Sequence, residues 1–174
     1  MSWPRAVRQA DGSLALEGLD AGFLHLILGV PVLLGEDAPE VVRERLFPLP
    51  GEDEEAREEW RRLVHPDLFA LLASAKEIVI RDLGGIEPFG DGSIPGVWRI
   101  PIPEDHIQAW ISALNAARLA LGAMYDIGEA DMESDDFEEP FNERKLAVMQ
   151  ISLLGALQAI LIEDQTPPPE AAEG

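Results

Sequence analysis

Between Glu104 and Asp126 the chain places Ile107, Ile111, Leu114, Arg118, Leu121 and Tyr125 at steps of 4, 3, 4, 3 and 4 residues. That alternation keeps all six on one stripe of a 3.6-residue helix, so the segment predicts a long amphipathic helix. Trp110, Ala117 and Met124 widen the stripe and make this the expected central helix. An apolar face of that length must be buried against other elements, so the chain is constrained to a helical assembly around it.

The remaining segments supply such elements. Asp20 predicts an N-cap for a helix with a stripe of Phe23, Leu24, Ile27 and Leu28, which Pro31 ends or kinks. Pro39 to Leu46 fits a short helix opened by proline. Glu52 to Val64 carries acids in its first turns and Arg57, Arg61 and Arg62 later, matching the helix dipole, with Ala56, Trp60, Leu63 and Val64 as its expected buried stripe. His65-Pro66-Asp67 then breaks the run. Asp67 would cap the next helix, which buries Leu68, Leu71, Leu72, Ala75, Ile78 and Val79 and stops at Gly84-Gly85. The last helix, Asn142 to Glu163, is expected to bury Leu146, Met149, Leu153, Leu157, Ile160 and Leu161, with Gly155 marking a close helix–helix approach.

Strands are few. Asp11-Gly12 predicts a two-residue hairpin turn between Arg5–Gln9 and Ser13–Glu17, the second strand half-buried through Leu14 and Leu16. Residues 84–96 are rich in glycine and read as a loop. Residues 97–102 alternate Trp98, Ile100 and Ile102 on one face, and Pro101 makes them an edge strand able to extend the hairpin. The expected fold is mainly α: a single domain over residues 1–164 with about five to six helices and a small N-terminal antiparallel β-hairpin, followed by a disordered proline-rich tail over 165–174.

Composition narrows function. The chain holds 33 Asp or Glu against 13 Lys or Arg, a formal charge of −20, and no cysteine. Thiolate catalysis, thiolate metal sites, Fe–S clusters and disulfides are thereby excluded. So strong a negative balance opposes direct binding to nucleic acid or an anionic membrane. The longest apolar stretch, Phe23 to Leu34, is interrupted by His25, Gly29 and Pro31 and falls short of the ~20 residues a bilayer requires. With no signal-like apolar core near the start, a cytoplasmic location is expected.

Few residues carry chemistry. Glu129, Asp131, Glu133 and Asp135 alternate like a calcium loop. In the two registers tried, however, the required Gly and bidentate Glu are replaced by Ser134 and Pro140, or by Asp136 and Asn142. A weak divalent site on the acidic 129–139 segment stays open; no metal, cofactor or catalytic residue is assigned. His25, His65 and His106 lack metal-ligand spacing, and structural roles are expected for them. Gly90-Asp91-Gly92-Ser93 matches neither a nucleophile elbow nor a phosphate cradle. Arg118 stands out because a guanidinium inside an apolar seam must be paired. Either its head pairs internally with a carboxylate or carbonyl, or its planar fork receives an anion or a partner's carboxylate, with Asn115 and Trp110 as neighbours in either role.

Two segments then carry a family likeness. One is Arg45-Leu46-Phe47-Pro48 with Glu59-Trp60-Arg61-Arg62-Leu63 and Asp67-Leu68; the other is Trp110-Ile111, Leu114-Asn115 and Arg118-Leu119-Ala120-Leu121-Gly122. On these, the chain resembles a bacterial family catalogued as domain of unknown function two-thousand-and-seventeen, over about residues 5–163. The resemblance implies a tie to regulated proteolysis, because in actinobacteria the family is often encoded beside the adaptor that delivers substrates to the Clp protease. It implies no catalytic residues. The expected function is a non-enzymatic protein-interaction module with a protein partner, the Clp adaptor or protease machinery among the candidates and a homodimer left open. Two alternatives stand beside it: a small-molecule or metal-dependent enzyme using Arg118 as an anion clamp, and an acidic nucleic-acid-mimic inhibitor.

Overall fold

The computed structural model describes residues 3–35, 37–90, 95–133 and 142–165. Strand β1 (Arg5–Arg8) pairs antiparallel with β2 (Leu14–Leu19). The turn between them is a three-residue loop, not the expected two-residue one. Gln9 N–H donates to Ser13 O at 2.8 Å and Gly12 N–H to Gln9 O at 3.1 Å, and Gly12 alone takes a positive φ, +87°. Asp11 needs no left-handed backbone because its carboxylate accepts from Ser13 N–H and Oγ–H, a common use of Asp in turns. β2 is also more buried than an alternating strand should be. Leu14 and Leu16 lie in the core, and Ala15 and Glu17 on the other face are buried as well.

Six further elements follow: helices α1 (Ala21–Leu33), α2 (Glu40–Leu46), α3 (Glu54–Leu63) and α4 (His65–Leu83), then strands β3 (Glu87–Pro88) and β4 (Trp98–Ile102). Asp20 caps α1 as expected, accepting from Gly22 and Phe23 N–H, and the helix continues past Pro31. Its inward face is Leu26, Ile27 and Val30, while Leu28 is exposed. α3 buries none of its residues, contrary to the expected stripe, because it packs chiefly on α4 rather than on the core. α4 begins at His65 with Pro66 in its first turn, so the proline starts this helix and Asp67 lies inside it instead of capping it, a position where the missing N–H costs nothing. Ala75, Val79 and Asp82 face inward, whereas Leu71 is exposed.

The sheet order is β1-β2-β4-β3, all antiparallel. β4 therefore has neighbours on both sides at Trp98 and Arg99. Pro101 lies past the last β3 pair, so the missing N–H falls where no strand needs it. Gly18, at φ +78°, is the extra residue of a bulge where the β2–β4 register shifts between Glu17 and Leu19.

A 3₁₀ turn (Glu104–His106) leads into α5 (Ile107–Met124), followed by α6 (Glu129–Glu133) and α7 (Glu143–Gln165). The chain is mainly α, as the sequence predicts. α5 is its centre, packed by α7, α4, α2 and α1. Its buried residues are Ile107, Trp110, Ala113, Leu114, Ala116, Ala117, Ala120 and Leu121, a wider arc than the seam read from the sequence. α7 is turned relative to expectation: Ala147, Val148, Ile151, Leu154, Leu157 and Leu161 are buried, while Leu146 and Met149 are exposed. Apolar side chains occur all round this helix, so its own pattern does not choose a face. For the same reason α7 reaches the length and apolarity of a bilayer-spanning helix, over Glu143–Asp164 at mean hydropathy 1.8. The expected tail beyond Gln165 lies outside the described residues.

Where α5 is closed in on several sides, added volume must displace a neighbour. Ala117→Leu is expected to lower stability by about 1–3 kcal/mol, read as a lower urea midpoint with unchanged m; an unchanged midpoint would mean that α5 is not tightly enclosed.

Candidate functional site

Asp82 projects from the last turn of α4 into the core and is buried. Its Oδ2 accepts from Trp110 Nε1–H at 2.8 Å, and its oxygens lie 2.9 and 3.0 Å from His106 Nδ1. An ionised carboxylate only accepts, so this geometry presents Nδ1–H of His106 to it. Trp110 is thus a core residue anchored by its indole, and it lines neither the Arg118 cavity nor the two hollows beside Phe47. The sequence signal for Asp82 was present: it stands seven residues after Ala75 and three after Val79, on the same buried face as both. The three histidines diverge, because His25 is exposed and His65 Nε2 is buried without a hydrogen-bond partner.

Arg118 and Asn115 do come together, on a cavity of about 620 Å³ bounded by α2, α5, α6 and α7. Arg118 Nη1 donates to Gln158 Oε1 at 2.8 Å, and Gln158 Nε2 donates to Ile111 O at 3.4 Å. Its Nε is buried with no partner, and among the described residues Arg118 forms no ion pair. The internal partner is therefore a neutral amide, and the Arg118 side chain also lines the cavity. Gly155 of α7 makes the room: a Cβ there would sit 3.3 Å from both Cζ and Nε of Arg118. Glycine costs a helix interior about 1 kcal/mol relative to alanine, so the close approach expected at Gly155 is to an arginine head. Arg45 lines the same cavity, as do Glu44, Asp126 and Glu129. Asp126 follows the end of α5 at φ +49°, with Ile127 N–H donating to Gly122 O at 2.9 Å, a helix stop usually built with glycine.

A second hollow of about 700 Å³ lies between α2, α3 and α4. Phe47 is its floor, with ring centroids 6.0 Å from His65 and 5.8 Å from Phe69. Arg43 and Arg57 stand at its edge. It opens into a smaller apolar hollow of about 120 Å³ walled by Leu34, Leu46, Leu72 and Ala73. Phe69, Ala73, Lys76 and Ile80 recur at i, i+4, i+7 and i+11, one face of α4. Phe69 is 55% exposed and Ile80 50%. This α4 row was not among the expected buried positions, and only packing joins it to Leu46 and Phe47.

The acidic segment after α5 is partly described. Asp131 accepts from Arg144 Nη2 at 2.8 Å and from Gly128 N–H, and Arg144 Nη1 donates to Tyr125 O, which ties α6 to α7. Arg144, followed by the Gly128 N–H, holds the Asp131 carboxyl below its ordinary range. Asp131 is thereby engaged by an arginine. Among the described residues no group of three or more His, Asp or Glu is placed to hold a metal ion. Residues 134–139 of the same segment, and the Gly92-Ser93 stretch, lie outside the described residues.

Residues 4–164 match the family described as Domain of unknown function (DUF2017). No curated protein and no solved structure matches the chain. The two segments that carry the earlier resemblance meet in space. Arg45 from one and Asn115, Arg118, Leu119 and Gly122 from the other line one cavity, while Phe47 and Pro48 line the second hollow.

Asp82→Ala would strand two donors, Trp110 Nε1–H and the His106 imidazole. A loss of about 1–3 kcal/mol is expected in urea unfolding, and a smaller one for Asp82→Asn, which keeps an acceptor. Asp131 offers a pH test. Its folded-state pKa is depressed, so the contribution of its pair with Arg144 is present above the unfolded carboxyl's value, about 3.9, and is lost as pH falls through the lower folded value. The Asp131 carboxyl carbon should titrate by NMR with a midpoint below that of a free aspartate, and Arg144→Gln should bring it back up; an ordinary midpoint in the unaltered chain would count against the tie.

Proposed function

The chain belongs to the DUF2017 family, and we propose that it acts as a non-enzymatic interaction module that grips a partner polypeptide on the α2–α4 face. The observation that carries this reading is Phe69. It packs against Phe47, ring centroids 5.8 Å apart, beside two hollows that share both rings in their lining, yet more than half of it remains exposed, and Ile80 continues the same helix face outward. Apolar side chains grouped around a concavity and edged by charge are the usual features of a docking surface. Arg43, Arg57 and Lys76 at its margin are matched by Glu40, Glu44 and Glu77, so the face is near neutral on a chain of charge −20 and suits an apolar anchor.

An acid–base enzyme would be expected to hold a perturbed carboxyl or imidazole in a cavity. Among the described residues the carboxyls held off their ordinary values are Asp11 and Asp131, each explained by a local partner, Ser13 and Arg144 respectively. Neither lines the Arg118 cavity. The tie to regulated proteolysis implied by the resemblance names the partners to try first, the Clp adaptor and protease.

The test uses the full chain as bait in its native host, with Ile80→Glu and Phe69→Glu on the proposed face and Leu71→Glu on another side of α4 as control. Leu71 is 64% exposed, so the control should fold normally. A protein held by the unaltered chain and by Leu71→Glu but released by both face variants supports the reading. Recovery of no specific protein, or of the same proteins with all four baits, overturns it. Sedimentation of the unaltered chain against Ile80→Glu identifies the case in which the occupant is a second copy.

A further inference from the structure

The Arg118 cavity lies apart from the α2–α4 face, and we infer that it binds a small zwitterion: an α-amino acid with an apolar side chain. The starting point is an uncompensated charge. The chain carries 33 acids, and Arg5, Arg8, Arg57, Arg61, Arg99 and Arg144 each pair with one. Arg118 is half-buried with its Nε fully enclosed, and among the described residues its head meets only the neutral amide of Gln158. A part-buried guanidinium without a counter-charge is unfavourable unless a carboxylate completes it. Its Nη2 forms no hydrogen bond among the described residues, and Asn115 one turn earlier on α5 adds an amide at the same cavity. A carboxylate suits that edge, because the planar fork of arginine matches two oxygens.

The rest of the lining says what else the ligand carries. Beside Arg118 and Arg45 stand three carboxylates, Glu44, Asp126 and Glu129, none of them in an ion pair with either arginine among the described residues. Two guanidiniums against three carboxylates leave the lining with one excess negative charge, which disfavours phosphate or a dicarboxylate. One carboxylate accompanied by one ammonium group answers both signs. Apolar walls come from Val41, Leu119, Met132 and Ile151, and the volume of about 620 Å³ is that of an ordinary small-molecule site. Gly122 also lines this space, and a Cβ built on it would meet nothing within 4 Å. The ligand's carboxylate therefore rests on Arg118 and Asn115, its ammonium on the acidic side, and its side chain on the apolar wall.

Titration of the full chain with L-methionine, followed by amide NMR, tests this. Saturable shifts are expected around residues 115–129. Acetate and n-butylamine, each carrying half of the charge pair, should bind at least about tenfold more weakly, and so should succinate. Arg118→Met should weaken L-methionine by at least about tenfold. Gly122→Leu fills the cavity from a helix position with open space before it, so it should fold and abolish the shifts while leaving capture on the α2–α4 face intact. The inference is overturned if L-methionine gives no saturable shift up to about 10 mM, if succinate or phosphate binds as well as L-methionine, or if folded Gly122→Leu still binds it.

Discussion

The enclosure of α5 is the constraint on which the rest of the molecule depends. Four helices pack against it, and they can do so because small residues, Ala113, Ala116, Ala117 and Ala120, interleave with Ile107, Trp110, Leu114 and Leu121. Side chains of that size bring helix axes close, and close axes leave little tolerance for misplaced volume. Each polar group on this helix that reaches inward must then find a partner from another element. Near its start Trp110 Nε1 finds Asp82 of α4; further along, Arg118 finds Gln158 of α7.

Those two polar pairs differ in a way that bears on function. Asp82 receives the Trp110 indole and the His106 imidazole within the core, so its acceptors are engaged and its role is to fix α4 against α5. Arg118 is only partly engaged. Gly155 gives its head a place to lie, Gln158 takes one nitrogen, and the side chain also lines a cavity. Burial of a charge costs more than burial of a satisfied dipole. The incomplete pairing is what the proposed ligand would complete, while the complete pairing serves stability. The apolar face over α2 and α4 follows similar logic: Phe47 is committed to the fold, and Phe69 is committed only on one side.

Much of the framework was legible from local pattern. The α5 seam, the Asp20 cap, the hairpin and the stop at Gly84-Gly85 depend on residues a few positions apart, and each appears in the structure. Where the reading failed, the missing information was not local. The turn at Asp11-Gly12 has three residues because the Asp11 side chain serves as acceptor, sparing it a left-handed backbone. α3 has a convincing apolar stripe and no core to bury it in. α7 is apolar on several sides, so the face it buries is chosen by α5 rather than by its own sequence. Arg118 was found because a charge in an apolar seam contradicts the pattern; Asp82 obeys the same rule on a shorter stripe and went unread.

Chain order and side-chain periodicity therefore settle which segments are helices, where the hairpin lies and which helix is central, because hydrogen bonds and caps of that kind close within a turn or two. Site geometry is another matter. Trp110 meets Asp82 across 28 residues, Arg118 meets Gln158 across 40, and Gln158 meets Ile111 across 47. Partners so far apart are chosen by how the helices pack. Packing alone placed a glycine under the arginine, left that arginine without a carboxylate among the described residues, and set Asn115 and three acids around the space beside it.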